Sequence, residues 1–180
     1  MKIAVLYICI GEYDKLWSHF YASCEKYFCV SIEKYYFVFT DSRYIEANST
    51  IFCIPQDNLG WPFNTLYRYR MFLRIKEQLL DFDYVVFFNA NCEFTAPISI
   101  EEFFGVNKKL VACLHPGFFD KNIEVFTYEK REKSEAYICH GRHYFAGGIC
   151  GGRADTFLHM CYEVLEKITK DLNKGILGIW

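Results

Sequence analysis

No charge of either sign dominates this sequence. Lysine and arginine number 20 against 22 acidic residues, a formal net charge of −2. That leaves no basic field of the kind duplex nucleic acid needs, although a phosphate site needs only a few local cations. Paired cysteines are missing too. Nine cysteines are scattered singly, an odd number with no CxxC spacing, so free thiols packed as small hydrophobes are expected, in a reducing compartment. No long apolar run is present: MKIAVLYICIGEYD meets an acid-bearing turn within a dozen residues and has no small-residue cleavage site. It reads as a first strand, and the chain as cytoplasmic, or peripheral at the inner membrane, without a transmembrane segment. Pro/Ser-rich linkers, internal repeats and low-complexity tracts are also absent.

What is there is a globular composition, 52% hydrophobic and 19% aromatic over 180 residues, enough for one domain with its own core. Lys2 to Ile10 reads as a central strand buried on both faces. After Gly11, Asp14 is a candidate cap for a helix carrying Trp17, Phe20, Tyr21, Cys24 and Phe28 at helical spacing. Strands are expected at Tyr35–Thr40, Thr50–Ile54, Tyr84–Phe88 and Leu110–Leu114, and helices at Thr65–Leu80 and Asp155–Leu172. Alternating strands and helices imply a mostly parallel sheet covered on both faces. Such sheets bind ligands beyond the carboxyl ends of their strands. That rule gathers Ile8 to Tyr13, Asp41, Asn89 to Asn91 and His115 on one rim.

Four stretches invite chemistry. In FFNANCEF, Asn89 and Asn91 stand two apart where a buried strand ends. The plain reading is a turn. In the functional one, neutral amides make poor cation ligands, but their NH2 groups can donate to phosphate oxygens. In LGWPFNTLYRYRMFLR, Asn64 or Thr65 is a candidate helix cap, and Arg68 near the helix start suits an anion pocket. Arg70 and Arg74 read as solvent-exposed. HGRHYFAGGICGG matches neither a dinucleotide fingerprint nor a P-loop. It reads as a pair of tight turns, or as backbone opened to a ligand by Gly147, Gly148, Gly151 and Gly152. A zinc site from its histidines and cysteines fits no common spacing. FTYEKREKSEAY reads as a charged, exposed loop.

The order YYFVFTD, GWPFNTLYRYRM, FFNANCEF, HPGFF, FTYEKREKSEAYI, YFAGGICGG and KGILGIW resembles glycosyltransferase family 6 over essentially the whole chain. This is the family of the histo-blood group A and B transferases and the animal alpha-1,3-galactosyltransferase. The likeness is to its short, soluble bacterial members. The resemblance implies a GT-A α/β fold, a single domain over residues 1–180 that is incomplete at its C-terminus. It implies retaining transfer of GalNAc, or less favourably Gal, from a UDP-sugar to the 3-hydroxyl of a β-galactoside, fucosylated in the blood-group branch.

By motif position, the donor contacts fall on Ile8, Cys9, Ile10, Gly11 and Tyr13, on Arg68, on Asn89, Ala90 and Asn91, and on Ala146, Gly147 and Gly148. Acceptor contacts fall on His115, Thr127 and Trp180. The small residues Ala146 and Gly148 leave room for an acetamido group and favour UDP-GalNAc. Asn-x-Asn stands where the family carries Asp-x-Asp, and the bacterial branch with that change does without metal, so no cofactor or divalent ion is expected. The family's catalytic carboxylate comes after the tryptophan in His-Asp-Glu-Ser, beyond Trp180, so no catalytic residue is assigned. The alternative is a non-catalytic UDP- or sugar-binding remnant.

Overall fold

The computed structural model describes residues 1–178. A six-stranded sheet forms its centre, in the order β3-β2-β1-β4-β6-β5. The strands are β1 Lys2–Cys9, β2 Glu33–Thr40, β3 Ile51–Pro55, β4 Tyr84–Phe88, β5 Leu110–Leu114 and β6 Phe145–Arg153. Strands β3, β2, β1 and β4 are parallel. Strand β6 runs against both β4 and β5. The carboxyl ends of β1, β2, β4 and β5 therefore share one rim with the start of β6.

Buried strands feed two cores by strict alternation. Ile3, Val5, Tyr7, Cys9, Tyr36, Val38, Val86 and Phe88 face one layer, with helices α1 (Trp17–Tyr27) and α5 (Ile100–Phe104). Ala4, Leu6, Phe37, Phe39, Val85 and Phe87 face the other, with helices α3 (Arg68–Leu73) and α6 (Ala154–Asn173). The first layer is largely aromatic: Phe20 stacks on Tyr7 with ring centroids 4.4 Å apart, and Phe28 meets Phe88 edge-on at 5.3 Å. Each such ring contributes about 1.5–3 kcal/mol on burial. The fold is thus α/β, mostly parallel and covered by helices on both faces, as expected.

Several local expectations are corrected. Asp14 does not cap a helix. It lies in a 3-10 turn, Gly11–Leu16, and its carboxylate accepts from Ser42 Oγ at 2.8 Å. The single helix expected over 65–80 is three pieces, α2 Phe63–Leu66, α3, and α4 Lys76–Leu79. The backbone leaves helical values at Tyr67 (ψ 7°) and Ile75 (ψ 21°). Neither Asn64 nor Thr65 caps α2. Of the glycine-rich stretch read as tight turns or as backbone opened to a ligand, residues 145–152 lie in strand β6. Its glycines permit close approach: a Cβ on Gly151 would stand 2.7 Å from the Val85 carbonyl, and one on Gly152 2.2 Å from that of Lys109.

The loop read as charged and exposed is anchored. Phe126, Glu129, Ser134 and Ala136 are buried. Arg131 grips Glu129 with two arms, at 2.8 and 2.5 Å, and donates to the Leu177 carbonyl at 2.6 Å. Asp171, 1% exposed near the end of α6, accepts from Ser134 Oγ at 2.5 Å and Glu135 N at 2.7 Å. All nine cysteines are free. Among the described residues, no helix is long and apolar enough to cross a membrane.

Candidate functional site

A cleft of about 450 Å³ opens on the carboxyl rim of the sheet. One wall is formed by the end of β1 and the turn beyond it, with Ile8, Ile10 and Tyr13. Gly11, just past the strand, has φ +61°, a backbone that glycine adopts freely. Its N–H donates to Asp41 at 2.8 Å, which ties the ends of β1 and β2 together. The opposite lip is the β3–α2 connection, with Asn58 and Trp61, and α2 itself, with Asn64 and Thr65. Two asparagines stitch that lip: Asn64 accepts from Leu59 N at 2.9 Å and donates to Asn58 at 2.8 Å. Trp61 stands 89% exposed on it.

The floor carries the polar groups. Arg68 opens α3, where the break at Tyr67 re-aims the helix. Its side chain is buried, and its guanidinium lies over the rings of Tyr69 and Phe87 at 5.1 and 5.4 Å. Nη1 donates to the Gly147 carbonyl at 2.6 Å. Among the described residues, Nε has no hydrogen-bond partner and no carboxylate forms an ion pair with this arginine. A buried cation without a carboxylate has the chemistry to take an anion as its partner.

Asn89 and Asn91 lie beside it on a turn, closed by Cys92 N donating to Asn89 O at 3.0 Å. The turn that the sequence suggests for the pair is present, and within it their side chains meet. Asn89 Nδ2 donates to Asn91 Oδ1 at 3.1 Å. Tyr7 holds the turn from beneath, its hydroxyl donating to the Ala90 carbonyl at 2.9 Å. Burial pushes that hydroxyl's pKa well up, so it remains a donor. Among the described residues, no Asp or Glu lines the cleft, and no three His, Cys, Asp or Glu side chains converge where a metal ion could sit.

Of the residues expected from the sequence, Ile8, Ile10, Tyr13, Arg68, Asn89, Ala90, Gly147 and Gly148 line this cleft. Asn91 joins through Asn89. Gly11 lines the shallower neighbouring depression with Asp41. Cys9 is wholly buried against the α1 layer, and its thiol pKa is pushed up to about 12 by burial. His115 and Thr127 meet elsewhere, around Tyr144. Thr127 Oγ1 lies 2.6 Å from the Tyr144 hydroxyl. His115 N donates to the Tyr144 carbonyl at 2.8 Å, and the two rings are 5.6 Å apart, edge to face. His115 Nδ1 accepts from Gly117 N at 3.1 Å, which leaves the neutral ring's proton on Nε2. Ala146 pairs with Cys113 between the two regions. Strand β6 thus leads from Tyr144 into the cleft within four residues. Trp180 lies outside the described residues. Sequence reasoning missed Trp61, Asn58, Tyr7 and Tyr144; the aromatic density around them was the available signal.

The sequence profile of the family described as Glycosyltransferase family 6 matches residues 1–180. The O-antigen biosynthesis glycosyltransferase WbnI of Escherichia coli is 30% identical over 182 residues, covering 99% of this chain and 77% of that protein. Histo-blood group ABO system transferase 1 of Rattus norvegicus is 28% identical over 189 residues, 99% of this chain and 53% of the rat protein. Globoside alpha-1,3-N-acetylgalactosaminyltransferase 1 of Homo sapiens is 24% identical over 191 residues, 54% of its length. The chain therefore spans about half the length of the mammalian relatives it matches.

Proposed function

The chain belongs to glycosyltransferase family 6, and from that membership we propose that its cleft binds a UDP-sugar and passes the hexose to a galactoside, retaining the anomeric configuration. The observation that carries the reading is Arg68: a buried guanidinium with an unpaired Nε, beside two asparagines, in a cleft with no carboxylate on its described walls. That set fits a diphosphate. As the bond from the anomeric carbon to the β-phosphate oxygen breaks, negative charge grows on the departing UDP. Arg68 and the Asn89 and Asn91 amides are preorganised donors for that charge.

A divalent cation does this work where two carboxylates hold it. Here the corresponding side chains are amides hydrogen-bonded to one another. They do not fit a hard cation that prefers anionic oxygen, and we propose no step through a metal. Ile8, Ile10 and Tyr13 supply an apolar wall for the uracil. The Tyr144 cluster, with His115 and Thr127, supplies hydrogen bonds and ring faces for the acceptor sugar. We assign no nucleophile or base within the described residues.

The small side chains at Ala146 and Gly148 support GalNAc over Gal as the donor sugar. Transfer of radiolabelled GalNAc from UDP-GalNAc to a fucosylated galactoside tests the proposal. UDP binding without product would favour the second reading, a sugar-nucleotide-binding protein, which the carboxylate-free walls of the described cleft support. Neither binding nor product would defeat both.

A further inference from the structure

The Gly147–Gly148 pair touches both polar groups of the cleft floor, one glycine each. The Gly147 carbonyl accepts from Arg68 Nη1 at 2.6 Å, and a Cβ on Gly147 would stand 3.2 Å from Arg68 Nη2. The Gly148 carbonyl accepts from Asn89 N at 2.8 Å, and a Cβ on Gly148 would stand 3.3 Å from Asn89 Cβ. Contacts that short require the neighbour to move. Neither neighbour can move freely. Arg68 is held between its hydrogen bond to Gly147 and the rings of Tyr69 and Phe87. Asn89 Cβ is fixed by a backbone pinned to Gly148 itself, so no side-chain rotation relieves the contact.

We infer that Gly147 and Gly148 are positioning residues for the anion grip: they let strand β6 approach closely enough to set Arg68 and Asn89 in place. This rests on the proposed UDP-binding role of the cleft and deepens it. Space at position 148 is then occupied by Asn89 as much as by the donor sugar. An added methyl there acts on the diphosphate of every donor, and on UDP alone, not only on an acetamido group.

The test is a double-mutant cycle read by calorimetric UDP binding, using the full chain with Gly148→Ala, Asn89→Gly and the two combined. Gly148→Ala is expected to weaken UDP binding tenfold or more. In the Asn89→Gly background, where the contacted Cβ is gone, the same alanine is expected to change UDP affinity less than twofold. The inference is overturned if Gly148→Ala keeps UDP affinity within twofold, even with an altered GalNAc-to-Gal ratio, or if the tenfold loss recurs without Asn89. Should Gly148→Ala alone fail to fold, the double variant decides: a folded double supports the contact, and an unfolded one overturns it. Wild-type protein that binds no UDP at millimolar concentration would instead defeat the nucleotide reading itself, and this inference with it.

Discussion

Arg68 Nη1 and the carbonyl of Gly147, 79 positions apart in sequence, meet at 2.6 Å in the floor of the cleft. The bond joins the first residue of a short helix to the strand that runs on from the Tyr144 cluster. It also leaves Nε of a buried guanidinium without a hydrogen-bond partner, in a cleft that Asn89 lines too.

Arg68 is therefore expected to serve binding at little benefit to the fold. Hydrogen bonds to charged groups contribute about 1.5–3 kcal/mol each, so losing this donor should weaken UDP binding roughly 100-fold. A buried cation with no carboxylate partner is a weak source of stability. Arg68→Met should thus melt within a few degrees of wild type while losing UDP affinity. Arg68→Lys should not restore it, since one ammonium cannot reach Gly147 and a phosphate with a planar fork. A Met variant that binds UDP normally contradicts the assignment.

The proposed preference for UDP-GalNAc rests on size, the small side chains at Ala146 and Gly148. A roomy pocket discriminates weakly, by roughly 1–3 kcal/mol or 10- to 200-fold. kcat/KM for UDP-GalNAc is expected to exceed that for UDP-Gal within this range. Equal values, or a preference for galactose, would refute it.

Asp171 should matter for stability. It is 1% exposed and joins the Thr127-bearing loop to the end of α6 through Ser134 and Glu135. Asp171→Ala strands two donors and should cost about 3 kcal/mol, a fall in Tm of roughly 6–12 °C for a chain of this size. Thermal melts followed by circular dichroism check this; a shift under about 2 °C would show that the loop is held by other contacts.

The rim was legible because buried strands announce themselves. YYFVFT and YVVFF are apolar runs with sharp polar ends, and the rule for open sheets then places their ends together. Strand β6 was not legible. Its glycines read locally as turns, and the reason for them lies at Val85 and Lys109, far away in sequence. The loop 126–137 misled for a related cause: Glu129 and Ser134 are buried by partners, Arg131 and Asp171, that composition does not reveal. The helix over 65–80 kept its apolar stripe while its backbone broke twice, which periodicity cannot detect. Arg68 itself was visible as an arginine near a helix start. Its burial and its unpaired Nε were not.

The proposed function has this cleft hold the diphosphate with Arg68, Asn89 and Asn91 and without a divalent cation. The most direct measurement is calorimetric titration of UDP-GalNAc into the protein in EDTA, repeated with excess Mn²⁺. Binding in EDTA is expected to change less than twofold on adding Mn²⁺ and to be lost in Arg68→Met. Binding that falls tenfold or more in EDTA and returns with Mn²⁺ would contradict it.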